Sequence, residues 1–231
     1  MAAEANLPIA FQADATLHGR VRQYSPAQDA FVEPFTAVAK NGSVELHGPF
    51  SYFLSTTTCD RLEPTFVIAP TLTSHPTTEQ DSPSMDIIVL RPERDPVVRA
   101  AKSEGEKAKA RGARLGEAMG WAYNAGAHVL KTWKGGDGDI EERGKGEVVC
   151  EVYRCEGFDW IPTVSNRPAH DNFARPSRRT RADAKDAAHE RSHLICADGS
   201  IHTIPKGGRA SVGLYRQSPT AASTDGFYVW A

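Results

Sequence analysis

The sequence predicts a mainly β fold, a β-sandwich-like domain with one crossing α-helix at about residues 96–125 and a long polar insertion at about residues 166–192. Three observations carry this. Short runs rich in β-branched and aromatic residues recur between turn residues. One stretch changes to a helical period. One stretch is too polar to build a core. With 231 residues and 40% hydrophobic content the chain can bury one core or two small ones.

Residues 1–47 are poorly patterned, with a turn signal at Asn41-Gly42, and the β-sandwich domain is expected over 48–231. "VELHGPFSYFLSTTT" (44–58) and "TFVIAP" (65–70) read as strands, the second stopped by Pro70. "TLTSHPTTEQDSPS" (71–84) has the composition of an exposed loop. "MDIIVLRP" (85–92) is a continuous apolar run, as in a strand buried on both faces.

From Asp95-Pro96 the period changes. Leu115, Ala118, Met119 and Ala122 fall on one helical stripe, with Asp95 as N-cap, Pro96 at the first helical position and Gly126 closing the end. Gly105 and Gly112 are expected to break or fray the first half. Segments 128–133, 146–158, 192–197, 200–205, 210–215 and 226–231 then read as strands. The polar stretch 166–192 interrupts them.

The charge balance excludes some functions. A formal net charge of -2 gives no global attraction to nucleic acid or to anionic membranes. No run of about 18 apolar residues reads as a bilayer-spanning helix. The N-terminus lacks the basic region of a secretory signal. The four cysteines (59, 150, 155 and 196) read as reduced thiols, so the chain is expected in the cytoplasm.

Several stretches offer chemistry. Gly135-Gly136-Asp137-Gly138 has the composition of a phosphate-cradling loop. Such a loop needs a helix N-terminus after it, whereas "DIEERGKGEVVCEVYRC" becomes β-rich and crowds carboxylates where phosphates would sit. A hairpin turn is the better reading. "HERSH" formally matches H-E-x-x-H, which would make His189 and His193 zinc ligands of a hydrolase. The β-like "LICADG" follows at once, however, and the next expected ligand is absent. Cys150 and Cys155, five apart, face opposite sides of a strand, so no metal site is expected. "RPSRRTR" (175–181) suits a solvated loop, a phosphorylation site or a contact with a lipid surface. Trp121, Trp133, Trp160, Trp230 and Phe227 suit either a core or the wall of a lipid pocket. "ADGSIHTIPKGG" (197–208) places Asp198-Gly199 between two β runs, a type I′ hairpin signal.

The order of these segments resembles the C-terminal half of the diacylglycerol kinase/sphingosine (long-chain base) kinase family, in a fungal-like branch. "FSYFLSTTTCDRLEPTFVIAP", "MDIIVLRP", "GEAMGWAYNAGAHV", "GEVVCEVYRCEGF" and "HLICADGSIHTIPKGG" carry the resemblance over roughly residues 48–208. It implies a lipid-binding sandwich that follows a nucleotide-binding domain, with the lipid substrate, a sphingoid base or diacylglycerol, meeting the nucleotide between them. It makes Asp198 the catalytic-side carboxylate and puts Gly199 and Ser200 on the cofactor side. Ser200 stands where many relatives have Glu, and a hydroxyl cannot act as a carboxylate base. The family's own GGDG loop precedes its sandwich. About 47 residues before the first match are too few for a nucleotide-binding domain, which needs about 100 or more.

ATP and magnesium are therefore implied by the resemblance alone, and neither is expected to bind this chain by itself. A nucleotide-binding domain in cis or in trans, a peripheral membrane contact and no nucleic acid complete the expected partners. The alternative is a non-catalytic β-sandwich that binds protein.

Overall fold

The computed structural model describes residues 10–35, 42–78, 83–163, 194–197, 200–205, 207–214 and 227–230. The chain opens with β1 (Ala13–His18), β2 (Arg22–Ser25), β3 (Ala30–Val32), β4 (Val44–His47), β5 (Tyr52–Thr56) and the short pair β6 (Arg61–Glu63) and β7 (Phe66–Val67). Helix α1 (Pro70–Ser74), strand β8 (Met85–Leu90) and helices α2 (Pro96–Ala100) and α3 (Glu104–Tyr123) follow. Strands β9 (Lys131–Trp133), β10 (Ile140–Glu142), β11 (Glu151–Cys155) and β12 (Gly157–Pro162) come next. The chain then supplies β13 (Leu194–Ala197), β14 (Ser200–Thr203), β15 (Ala210–Leu214) and β16 (Phe227–Trp230).

Two five-stranded antiparallel sheets dominate, ordered β16-β15-β12-β1-β4 and β3-β2-β11-β8-β5. Period-two alternation sets their inner faces. Ala13, Ala15 and Leu17 of β1, Val44 and Leu46 of β4, and Phe158 and Trp160 of β12 meet Met85, Ile87 and Val89 of β8 and Tyr153 and Cys155 of β11 in one core. The fold is therefore mainly β and sandwich-like, as the sequence predicts. Every residue of β8 is buried, because its other face is covered too. That outer layer is α1, α3, β6–β7 and the 3₁₀ turn at Ala127–Leu130. They pack Ile68, Ala69 and Val129 against Ile88, Cys150 and Val152, and Ala118 against Leu90, Trp133 and Val149.

Four details differ from expectation. Strands also come from before residue 48, since β1 pairs with both β12 and β4 inside the first sheet. The stretch 71–84 starts within a helix rather than as a loop, and Thr71 is fully buried. The helical stretch 96–125 is two helices. Asp95 does cap the first, accepting the Val97 N–H at 2.8 Å. The break lies before Ser103, not at Gly105 or Gly112. Ser103 Oγ accepts the Glu106 N–H at 3.2 Å, and the Glu106 carboxylate accepts the Lys102 N–H at 2.7 Å. This reciprocal capping starts α3 afresh. The expected strand at 128–133 begins as the 3₁₀ turn and becomes β9 only at Lys131.

Candidate functional site

The residues expected to carry chemistry separate into two groups. Ala197 pairs with Ser200 across the β13–β14 hairpin, while Asp198 and Gly199 between them lie outside the described residues, as do His189, His193 and the insertion 166–192. Gly135–Gly138 is described, and it is the turn between β9 and β10. Trp133 pairs with Ile140, and Lys134 N–H donates to the Asp139 carbonyl at 2.7 Å. The chain leaves this turn into a strand and not into a helix, and Val97 at the start of α2 packs against Gly138. Cys150 and Cys155 point into different clusters, and burial pushes the Cys155 thiol up to about 12 and the Cys150 thiol higher still. Trp160 lies in the shared core, and Trp133 lies beneath α3 with Trp121 beside it.

The covered face of the second sheet holds an apolar seam. Tyr52, Leu90 and Cys150 form its floor, Phe66 and Ile68 one wall, and Ala118, Met119 and Ala122 of α3 its roof. The remaining void is about 10 Å³, roughly one water. His128, from the 3₁₀ turn after α3, lines it. Its Nε2 donates to the Ile68 carbonyl at 3.1 Å, and its Nδ1 has no partner. Burial lowers the imidazole to about 4, which the Ile68 bond only partly opposes, so it is neutral at pH 7 and Nδ1 is an unused acceptor. Burial also pushes the Tyr52 phenol up to about 12.

The two halves of α3 are held differently. Toward its N-terminus Arg111 pairs with Glu93, and at its middle Arg114 Nε donates to Asp95 at 2.7 Å with its guanidinium 4.6 Å over the Trp133 ring. At the C-terminal half the roof is mostly alanine and methionine, with Tyr123 against Phe66 at 4.5 Å between ring centroids. Four glycines (105, 112, 116 and 120) weaken the helix itself.

Two buried ion pairs lie on the second sheet, the first on this face and the second on the face turned toward the first sheet. Arg154 binds Asp86 through two bonds of 2.7 and 3.1 Å, Thr71 donates to the same carboxylate at 2.7 Å, and the guanidinium lies 4.1 Å over the Phe31 ring. At the end of β11, Glu151 takes a bidentate pair from Arg91 at 2.7 Å, the Tyr153 hydroxyl at 2.7 Å and a bond from Arg94. Burial pushes the Glu151 carboxyl up, but the arginines outweigh it and hold it below the usual range. Sequence reasoning passed over all of these. The usable signal was a charge inside an apolar run: Asp86 in "MDIIVL", and Glu151 and Arg154 in "VVCEVYRC".

Among the described residues no group of three His, Cys, Asp or Glu is placed to hold a metal ion, and no helix is long and apolar enough to cross a membrane. Comparison of the chain with family models, curated proteins and solved structures gives no match.

Proposed function

We propose that this chain is the lipid-binding sandwich of an ATP-dependent lipid kinase, one that acts on a sphingoid base or a diacylglycerol when a nucleotide-binding domain is supplied in cis or in trans. The observation that carries the reading is the seam beneath α3. It joins an apolar floor to one buried, unused acceptor, His128 Nδ1. A long-chain alcohol or amine has the complementary form: a chain that gains from leaving water and one polar end that needs a partner. The lightly held C-terminal half of α3 lifts, the chain replaces it on Tyr52, Leu90 and Cys150, and the hydroxyl or ammonium donates to His128.

The resemblance in segment order agrees with this. Its stretches at 50–70, 85–92 and 146–158, distant in sequence, supply β5, β8 and β11, which are neighbours in one sheet. The GGDG turn runs into β10 and not into a helix, which supports assigning ATP and magnesium elsewhere. In this reading they belong to the other domain, and the resemblance assigns Asp198, Gly199 and Ser200 to the side that meets it.

Trp121 and Trp133 report on the seam. A bromine-labelled sphingoid base or diacylglycerol in neutral detergent micelles is expected to quench their emission. Ala118→Leu, which fills the roof, should weaken binding at least about tenfold, a change of about 1.4 kcal/mol, with circular dichroism confirming the fold. No quenching by either lipid would remove the lipid reading and leave a sandwich that binds protein.

A further inference from the structure

A second cavity, sharing no lining residue with the seam, opens beside the Glu151 ion pair. It measures about 290 Å³, near the lower size of small-molecule sites. Gln23 and Ser25 of β2 form one wall, and Arg94, Lys145 and Glu147 form the other. Phe35, 68% exposed, stands at the rim.

The wall is rich in donors and short of acceptors. Gln23 Oε1 already accepts the Phe35 N–H at 3.0 Å, which leaves its amide NH₂ as the group that bond does not use. Glu151 is buried and already neutralised by the bidentate Arg91, so Arg94 is a surplus cation on the same carboxylate. Its other partner is Glu147 at 3.1 Å, whose side chain is 61% exposed. An exposed pair of this kind contributes little and exchanges readily. Lys145 has no ion-pair partner among the described residues. Among the described residues the carboxylates paired with Arg91 and Arg94 are Glu147 and Glu151.

We infer that this cleft is a site for a phosphate monoester, with Arg94 and Lys145 binding the phosphate oxygens in place of Glu147. A dianion answers the surplus of cations, and a guanidinium offers the paired donors that a phosphate matches. The same chemistry is offered by a small soluble phosphate and by a lipid headgroup. The inference goes beyond the lipid-chain reading of the seam and does not depend on it.

Two probes separate the sources: glycerol 3-phosphate in solution, and phosphatidylcholine vesicles containing phosphatidic acid. Titration calorimetry is expected to show glycerol 3-phosphate binding with Kd below about 1 mM. Lys145→Gln should weaken it at least about fivefold, and Glu147→Gln, which frees Arg94, should tighten it at least about threefold. Both positions are exposed, so the variants should fold. If only the vesicles bind, and the two substitutions shift vesicle binding in those opposite directions, the monoester is a headgroup and the site stands. The inference is overturned if neither probe responds to the substitutions, or if vesicles with phosphatidylglycerol, a singly charged diester, bind equally well when matched in total surface charge.

Discussion

The outer faces of the two sheets have opposite fates. On the first sheet, Asp14 and His18 of β1, Glu45 and His47 of β4, and Asp159 of β12 point away from the core. Their pairs stay in water's reach: His47 meets Asp14 at 2.9 Å and His18 meets Asp159 at 3.1 Å, each with partly exposed side chains. On the second sheet the outer face is apolar and roofed by helices, and its one strong pair, Asp86 with Arg154, is sealed off. Similar contact distances therefore stand for different energies. In water a charge pair mostly replaces hydration, while under the roof each partner has nothing else to bind.

The sharpest way to break this comparison is to remove one carboxylate charge from each face. Asp86→Asn leaves Arg154 buried without its counter-ion and should cost about 3–5 kcal/mol. Asp14→Asn should cost less than about 1 kcal/mol. Urea unfolding of the two variants measures both, and equal losses would mean that the roof does not seal the pair.

A slightly smaller effect comes from His128. Its imidazole titrates near 4 in the folded protein and at 6.5 as its ordinary value, so between these the unfolded chain binds the extra proton. Stability from this group is complete above 6.5 and falls as pH drops toward 4, by about 3 kcal/mol in all. The difference in unfolding free energy between native protein and His128→Asn, followed from pH 7.5 to 4, isolates that slope from the carboxylates. A constant difference would mean that water reaches the seam.

The smallest effect sharpens the comparison within the roof itself. A Cβ at Gly116 or Gly120 would meet nothing, so Gly116→Ala and Gly120→Ala should each stabilise α3 by about 1 kcal/mol. If lipid uptake requires the C-terminal half of α3 to lift, the double variant also takes up bromine-labelled lipid more slowly in stopped-flow quenching. An unchanged rate would separate uptake from helix opening.

What the sequence made legible follows from how strongly each element signals. "MDIIVL" is buried on both sides and reads so. Asp95-Pro96 starts a helix by a local side-chain bond, and local bonds leave local signatures. β1 escapes notice because two of its three inward residues are alanines, whose burial is decided by the neighbours across the sheet. The break before Ser103 escapes because the glycines nearby are the louder signal, although a capping residue with Glu three positions on is the stronger cause. The seam is harder still. His128 becomes an unused acceptor only when Ile68, sixty residues earlier, takes its other nitrogen. For Arg94 the partners lie on β11 and just before it, and no spacing rule links them. The candidate residues Asp198 and Gly199 lie outside the described residues, so their reading rests on the family resemblance.

The pairing of β1 with β12 has a consequence for biosynthesis. Ala13 finds Pro162, and His18 finds Gly157, only after more than 130 intervening residues have been made. The second sheet waits too, since β2 and β8 are bridged by β11. Until then the emerging polypeptide carries "MDIIVL" with the edge that β11 will take still open, and β1 with its β12 edge open, and open strand edges are the places most prone to wrong association. Closure over so long a span is slow, because the ordering entropy of the loop is lost before the contacts form. A ribosome holding the first 150 residues thus presents a sticky strand, and a chaperone that binds extended apolar segments has its best target there.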